Sequence, residues 1–372
     1  MGRPLKLLHA FSTFKVGGPQ VRFADLANGL GSDYEHHVAA MDNCFDAAEL
    51  VKSPVEIHLH EFEIRKTPFI SLQNLKRFRA LLSEIKPDLL LTYNWGALEW
   101  VLVNRFARAA PHLHFEDGFG PDEAGGAQRA RRVWTRRLLF AGGPEIVVPS
   151  QTLARVARES WRVDPRCVIC IANGVETAKF AANAQRDGML GNGLVIGMLG
   201  ALRPEKNFVR AIRVFDALGE GDVRLSVYGD GEERKRLEKE IAARGLEGRV
   251  ALAGHIDAPE NAYAEFDVFL MTSDTEQMPI SLLEAMASGL PVVATDVGDI
   301  KSILPPEQAP FIAAPDAEAD LVSALKTLIA DPALRNELGR ANRARVVAEF
   351  EKTTMIETYD RLFRSRAQSR RD

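Results

Sequence analysis

The sequence predicts an α/β protein made of two doubly wound parallel sheets, and three observations carry that reading. Short apolar runs alternate with helix-period patterns along the whole chain. The length, 372 residues, suits two domains at roughly 150 residues each. A polar, Gly-rich stretch at 181–193 interrupts the alternation directly before a new apolar run. Unbroken apolar strands separated by helices belong in parallel sheets covered on both faces.

The candidate strands of the first half are 5–10, 38–41, 56–59, 88–92, 112–115, 145–148 and 168–171. Helical patterns lie between them, as at 71–85, where Leu72, Leu75, Phe78, Leu81 and Leu82 share a stripe. In the second half the strands are 194–199, 223–228, 250–253, 268–271 and 291–294, separated by helices at 208–218, 232–244 and 279–287. Helices fill 317–363, and an Arg-rich tail follows. The predicted domains are 1–185, 186–350 and a terminal helix with basic tail at 351–372. Ligands of such sheets bind at the carboxyl ends of the strands.

Composition narrows the function classes. Hydrophobic residues make up 46% and charged residues 26%, ordinary for a globular chain. A net charge of −4 gives no nucleic-acid footprint. No apolar run approaches the roughly 20 residues that span a bilayer. Residues 1–10 lack an h-region and a small-residue cleavage site, so they are expected to form a first strand, and the protein to be cytoplasmic. Cys167 and Cys170 form a C-x-x-C, but residues three apart on a strand diverge, and no second Cys/His pair lies nearby. They are expected to be structural thiols.

The chemistry concentrates in Glu276-Gln-Met-Pro-Ile-Ser-Leu-Leu-Glu284-Ala-Met-Ala-Ser-Gly289. One carboxylate sits in a loop and the second lies in a helix starting near Pro279. A helix start offers unpaired N–H groups and a positive dipole end to a phosphate. Carboxylates on either side suit the adjacent hydroxyls of a sugar and a ribose. Glu284 lies among Leu282, Leu283, Ala285, Met286 and Ala287, and a carboxylate in so apolar a helix needs a partner or a ligand.

This segment resembles the E-x7-E signature of retaining GT-B glycosyltransferases, specifically glycosyltransferase family four. Other motifs resemble the family in order and spacing: the basic loop Arg203-Pro-Glu-Lys206-Asn207, the turn Val227-Tyr-Gly229-Asp230-Gly231, the turn Asn173-Gly174-Val175 and the N-terminal loop Gly17-Gly18. The likeness is dense over 147–297. It implies a GT-B fold: two Rossmann-like domains facing across a cleft, with the terminal helix crossing back to the first. It implies retention of anomeric configuration, and catalysis by cationic side chains and helix ends in place of a metal, so no metal or cofactor is expected. The donor would be a UDP- or GDP-sugar and the acceptor a hydroxyl on a bacterial surface glycan or its lipid-linked precursor.

By that resemblance Arg203 and Lys206 stabilise the leaving diphosphate, Arg by bidentate grip and Lys as a point charge. Glu276 meets the donor sugar and Glu284 the ribose. Backbone at Met278, Ile280 and Ser281 donates to phosphate, while Pro279 has no N–H to give. Gly17 and Gly18 allow close backbone approach, and Gly229, Asp230 and His255 lie near the base or ribose. A plain turn accounts equally well for the two glycine motifs, and His255 is equally a loop histidine.

The first domain departs from the family. Where many relatives have a histidine after the fifth strand, this chain reads Pro111-His-Leu-His-Phe-Glu116-Asp117-Gly118. Glu116 or Asp117 is the expected site residue, the alternative being an acidic pair that caps a turn. Alternation puts His112, His114 and Glu116 on one face. A second unusual segment, Gln128-Arg-Ala-Arg-Arg-Val-Trp-Thr-Arg-Arg-Leu-Leu-Phe140, reads as a basic amphipathic helix. Through Arg129 to Arg137 it would meet an anionic membrane at its inner face or an anionic acceptor, or be an ordinary surface helix. The competing functions are a sugar synthase on a soluble acceptor and a non-catalytic nucleotide-sugar binder or scaffold.

Overall fold

The computed structural model describes residues 3–64, 71–118, 128–181 and 193–368. The chain forms two compact units. The first comprises residues up to Gly118, Gln128–Ala172 and the segment from Thr353 onward; the second comprises Asn173–Lys352. Most of the predicted break at 181–193 lies outside the described residues, as do the loop beyond Gly118 and Arg370 and Arg371.

The first unit holds a seven-stranded parallel sheet: β1 (Leu5–Phe11), β2 (Tyr34–Ala40), β3 (Glu56–His60), β4 (Leu89–Tyr93), β5 (His112–Phe115), β6 (Glu145–Val148) and β7 (Val168–Cys170). Their order is β3-β2-β1-β4-β5-β6-β7. The central β4, Leu-Leu-Leu-Thr-Tyr, is buried at every residue, as a strand covered on both faces must be. Edge strand β3 is half polar and largely exposed. β2 begins four residues before its predicted start, because His36 and His37 interrupt the apolar run while still pointing into covered faces. The helix Leu72–Ile85 is capped by Ser71, whose hydroxyl accepts from the Asn74 N–H at 3.4 Å.

The terminal helix Lys352–Gln368 completes this unit, as the GT-B resemblance implies. Met355, Tyr359 and Phe363 enter the core formed by Phe11, Tyr34, Tyr93 and Phe115. Tyr34 donates to Asp360 at 2.7 Å. Gly29 lets the helix approach: a Cβ there would lie 2.4 Å from Ile356 Cδ1.

The second unit holds a six-stranded parallel sheet: β8 (Leu194–Leu199), β9 (Val223–Tyr228), β10 (Val250–Gly254), β11 (Val268–Met271), β12 (Val292–Thr295) and β13 (Ile312–Ala313), in the order β10-β9-β8-β11-β12-β13. β13, only two residues long, carries no periodic signal and was not predicted. Both sheets reverse their winding direction once, between β1 and β4 and between β8 and β11. The carboxyl ends at such switch points are where open α/β sheets hold ligands.

Candidate active site

In the second unit the loops leaving β8 and β11 meet. Lys206 Nζ lies 2.5 Å from Glu276 Oε1, and Ser273 Oγ donates to the same oxygen at 2.8 Å. Glu276 Oε2 has no protein partner among the described residues. Lys206, Thr272, Ser273, Glu276 and Ser281 line one small cavity. Lys206 ends a short 3-10 turn, Pro204–Lys206, and Arg203 stands exposed at its start. Asn207 locks this loop from a left-handed conformation (φ 46°). Its side chain caps the next helix through the Arg210 N–H and donates to Asp274 at 3.1 Å. Arg210 braces the β11 loop by donating to the Thr272 carbonyl at 2.7 Å.

The helix Ile280–Ala287 starts beside this cluster, with Pro279 as its N-cap and no side chain capping it. Its first backbone donors bonded within the helix are Leu282 and Leu283, to the Pro279 carbonyl, so Ile280 and Ser281 present their N–H groups ahead of the ladder. Asn342 and Arg343 donate to the Leu290 and Ala287 carbonyls at its other end, at 2.7 and 2.5 Å. A cation there complements the dipole. One turn into the helix, Glu284 Oε2 accepts from Tyr263 at 2.9 Å, and the same hydroxyl reaches the Ser281 carbonyl at 2.9 Å. Burial, reinforced by the Glu284 charge, holds the Tyr263 hydroxyl protonated well above its usual range.

Several residues position this cluster through its backbone. Asn173, in the predicted turn, donates to the Met278 carbonyl at 2.8 Å, which fixes the residue before Pro279. Gly298 (φ 59°) lies against the Glu276 backbone, where a Cβ would meet its carbonyl oxygen at 2.0 Å. Gly229 (φ 139°) does the same against the Gly200 carbonyl, at 1.9 Å. The Gly229-Asp230-Gly231 turn therefore holds up the loop that carries Arg203, with the Leu202 N–H donating to the Asp230 carbonyl at 3.0 Å. His255 is exposed after β10, 3.3 Å from Asp257.

At the carboxyl end of the first sheet, Gly17 caps and Gly18 opens the helix Gly18–Leu30. A Cβ at Gly18 would meet nothing within 4 Å, so protein packing does not demand the glycine. Glu116 and Asp117 differ in kind. Glu116 is fully buried: Oε1 accepts from Arg136 at 2.6 Å, and Oε2 pairs with His114 at 3.1 Å. Burial pushes its pKa up, but the Arg136 charge and His114 outweigh that and leave it lowered. His112 and His114 both bond Thr92 Oγ1, so the three residues share the predicted face. Asp117 pairs with buried Arg22, and its backbone N–H donates to Asn94 Oδ1 at 2.8 Å. Asn94 ends β4 with φ 55° and ψ −174°, a conformation costly for any residue but glycine. Of the acidic pair, Asp117 is the one that keeps some exposure.

The predicted arginine-rich segment forms the helix Ala130–Phe140 with Arg129 as its N-cap, and its five arginines differ in exposure. Arg136 is buried on Glu116, its guanidinium 4.8 Å from the Trp161 ring centre and 5.1 Å from that of Trp95. Trp134 and Leu138 face outward instead, 66% and 71% exposed. The face that carries Arg136 to the buried Glu116 is turned inward, and Trp134 and Leu138 lie on the other face.

At the switch point of the second sheet, the Lys206–Glu276 pair and the Tyr263–Glu284 hydrogen bond thus flank one helix start. Comparisons with known proteins show the family. The model for glycosyl transferases group 1 matches residues 182–345, and that for glycosyltransferase family 4 matches residues 16–179. The chain belongs to glycosyltransferase family four and has the GT-B fold. It is 33% identical over 236 residues to the lipopolysaccharide core biosynthesis glycosyltransferase LpsE of Rhizobium meliloti, covering 62% of this chain and 67% of that one. It is 36% identical over 148 residues to a sulfoquinovosyl transferase of Arabidopsis thaliana, covering 39% of this chain and 28% of that protein. The chain thus spans under a third of the latter's length. Anabaena HepE, solved in complex with UDP and glucose, superposes with a TM-score of 0.82 at 20% identity, over 97% of this chain and 100% of that one. Among the described residues no helix is long and apolar enough to cross a membrane.

Proposed function

We propose that this glycosyltransferase moves a hexose from a UDP- or GDP-sugar to a hydroxyl of a bacterial surface glycan or its lipid-linked precursor, with retention and without a metal. The observation that carries the reading is the Lys206–Glu276 pair facing the start of the helix whose next turn holds Glu284 on Tyr263. Lys206, Arg203 and the N–H groups of Ile280 and Ser281 take the diphosphate. The diphosphate draws Lys206 away from Glu276, whose carboxylate is then available to the sugar hydroxyls. Glu284, held by Tyr263, accepts from the ribose. The bond from the anomeric carbon to the diphosphate breaks, the acceptor oxygen bonds that carbon on the same face, and its proton passes to the departing phosphate oxygen. LpsE and HepE lend the acceptor and donor classes their support.

The test is a thermal-shift screen against UDP-, GDP-, ADP- and dTDP-sugars, with and without EDTA. A ligand that binds only the folded state raises the midpoint by mass action. A shift with UDP- or GDP-sugars, unchanged by EDTA and lost in Glu284→Ala, supports the donor site. A shift that EDTA abolishes overturns the metal-free reading. NMR of the product's anomeric centre decides retention.

We also propose that the outward face of Ala130–Phe140 meets an anionic membrane. Trp134, Leu138 and nearby Phe106 form its apolar part, and Arg129, Arg131 and Arg137 its charge. Arg105, next to Phe106, donates to the Leu138 carbonyl at 2.6 Å, which joins the two helix ends. Trp134→Ser/Leu138→Ser should stop sedimentation with phosphatidylglycerol vesicles while leaving nucleotide-sugar binding intact; unchanged sedimentation refutes the contact.

A further inference from the structure

The outer edge of the first sheet carries a cluster that sugar transfer does not use. Glu35 and His37 stand two apart on β2 and share one face of the sheet. His37 is paired in register with His58 of β3, and His60 follows two residues later on the same face. Glu35 Oε1 lies 2.8 Å from His37 Nε2 and 3.6 Å from His58 Nε2, and the three atoms fall within 4.8 Å of one another. Ligands about 2.0–2.2 Å from a tetrahedral zinc ion stand roughly 3.4 Å apart, so small rotamer shifts suffice to close the set.

We propose that Glu35, His37 and His58 bind a divalent transition-metal cation of the zinc class, with the fourth position open to solvent. Two imidazoles and one carboxylate are a zinc donor set. The outer shell fits as well. His37 Nδ1 lies 2.9 Å from His60 Nε2, so a proton on Nδ1 is held by His60 and Nε2 is left for the ion. His58 is about half exposed and opens a path for entry. Lys6 Nζ, 3.1 Å from Glu35 Oε1, competes for the same oxygen. Its flexible stem lets it withdraw, and its charge weakens the site without abolishing it. The ion would add a further clip between the exposed edge strand β3 and β2, beside the backbone ladder and the His37–His60 contact.

The experiment uses untagged full-length protein titrated with Co2+ and then Zn2+. One equivalent of Co2+ should give the intense visible absorption of a tetrahedral site, and one equivalent of Zn2+ should remove it. His58→Ala should abolish the band, Glu35→Gln should weaken binding at least about tenfold, and His60→Ala should weaken it by roughly 10- to 100-fold. His255→Ala, a change at an exposed histidine of the second unit, should leave the Co2+ band unchanged. Circular dichroism checks that each variant is folded. Absence of a stoichiometric band, or equal binding by wild type and His58→Ala, overturns the proposal. Neither outcome depends on the transferase reading.

Discussion

The two sheets handle charge at their carboxyl ends in opposite ways. In the first unit the carboxylates are turned inward and answered by buried arginines: Glu116 by Arg136, and Asp117 by Arg22. In the second, Glu276 is answered by the partly exposed Lys206 and Arg203 stands exposed, both cations in a loop next to an uncapped helix start. A buried pair is held in one geometry and is costly to break, whereas a loop pair can exchange partners when a ligand arrives. The proposed donor site therefore rests on the pair that can re-form, and the first unit on pairs that cannot be opened cheaply.

Removing one member of the buried pair should have the largest effect. Arg136→Ala strands the Glu116 charge and should cost about 3–5 kcal/mol of stability, measured by urea denaturation. Glu116→Gln/Arg136→Met should recover most of it. If Arg136→Ala is as stable as wild type, the contrast between the units fails. Lys206→Ala should leave the urea midpoint nearly unchanged and lower kcat by about 10²–10³, the range for losing one preorganised group at a developing charge. An equal loss of stability would mean that Lys206 is structural.

Acid should separate the units. Seven of the eight histidines lie in the first. Burial, aided by His37, lowers the His36 pKa from 6.5 to about 4, and burial also holds His9 and His112 well below the usual value. A lowered folded pKa gives stability that is complete above about pH 6.5 and is lost as pH falls toward 4. His36 alone accounts for about 3 kcal/mol over that window. Amide exchange followed from pH 7 to 4 should show β1 and β2 opening before β8 and β9; the reverse order would break the comparison. The smallest effect belongs to Tyr263→Phe. It removes one hydrogen bond to a charged group and should weaken nucleotide-sugar affinity roughly tenfold with kcat little changed, read by calorimetry.

How much was legible follows the same division. The loop site of the second unit could be read because its residues are close in sequence: Arg203 to Asn207 in one turn, Glu276 to Glu284 across one helix start. Apolar runs such as Val268–Met271 gave their strand directly. What stayed hidden depends on partners far apart in the chain. Tyr263 reaches Glu284 from a five-residue helix, Pro259–Tyr263, with no periodic signal. Gly298 matters only because the Glu276 backbone passes against it. Arg22 and Asp117 are 95 residues apart. The outward turn of Trp134 and Leu138 was hidden too, since a helical wheel cannot show that Arg136 faces inward onto Glu116.

The terminal helix has a consequence for biosynthesis. Its Met355, Tyr359 and Phe363 belong to the core of the sheet that emerges first from the ribosome, yet the whole second unit, Asn173–Lys352, is translated in between. At ~5–20 residues per second that is about ten seconds or more. Throughout that interval Phe11, Tyr34 and Phe115 lack their cover, and the nascent first sheet offers an apolar face to chaperones. The half made first is finished last.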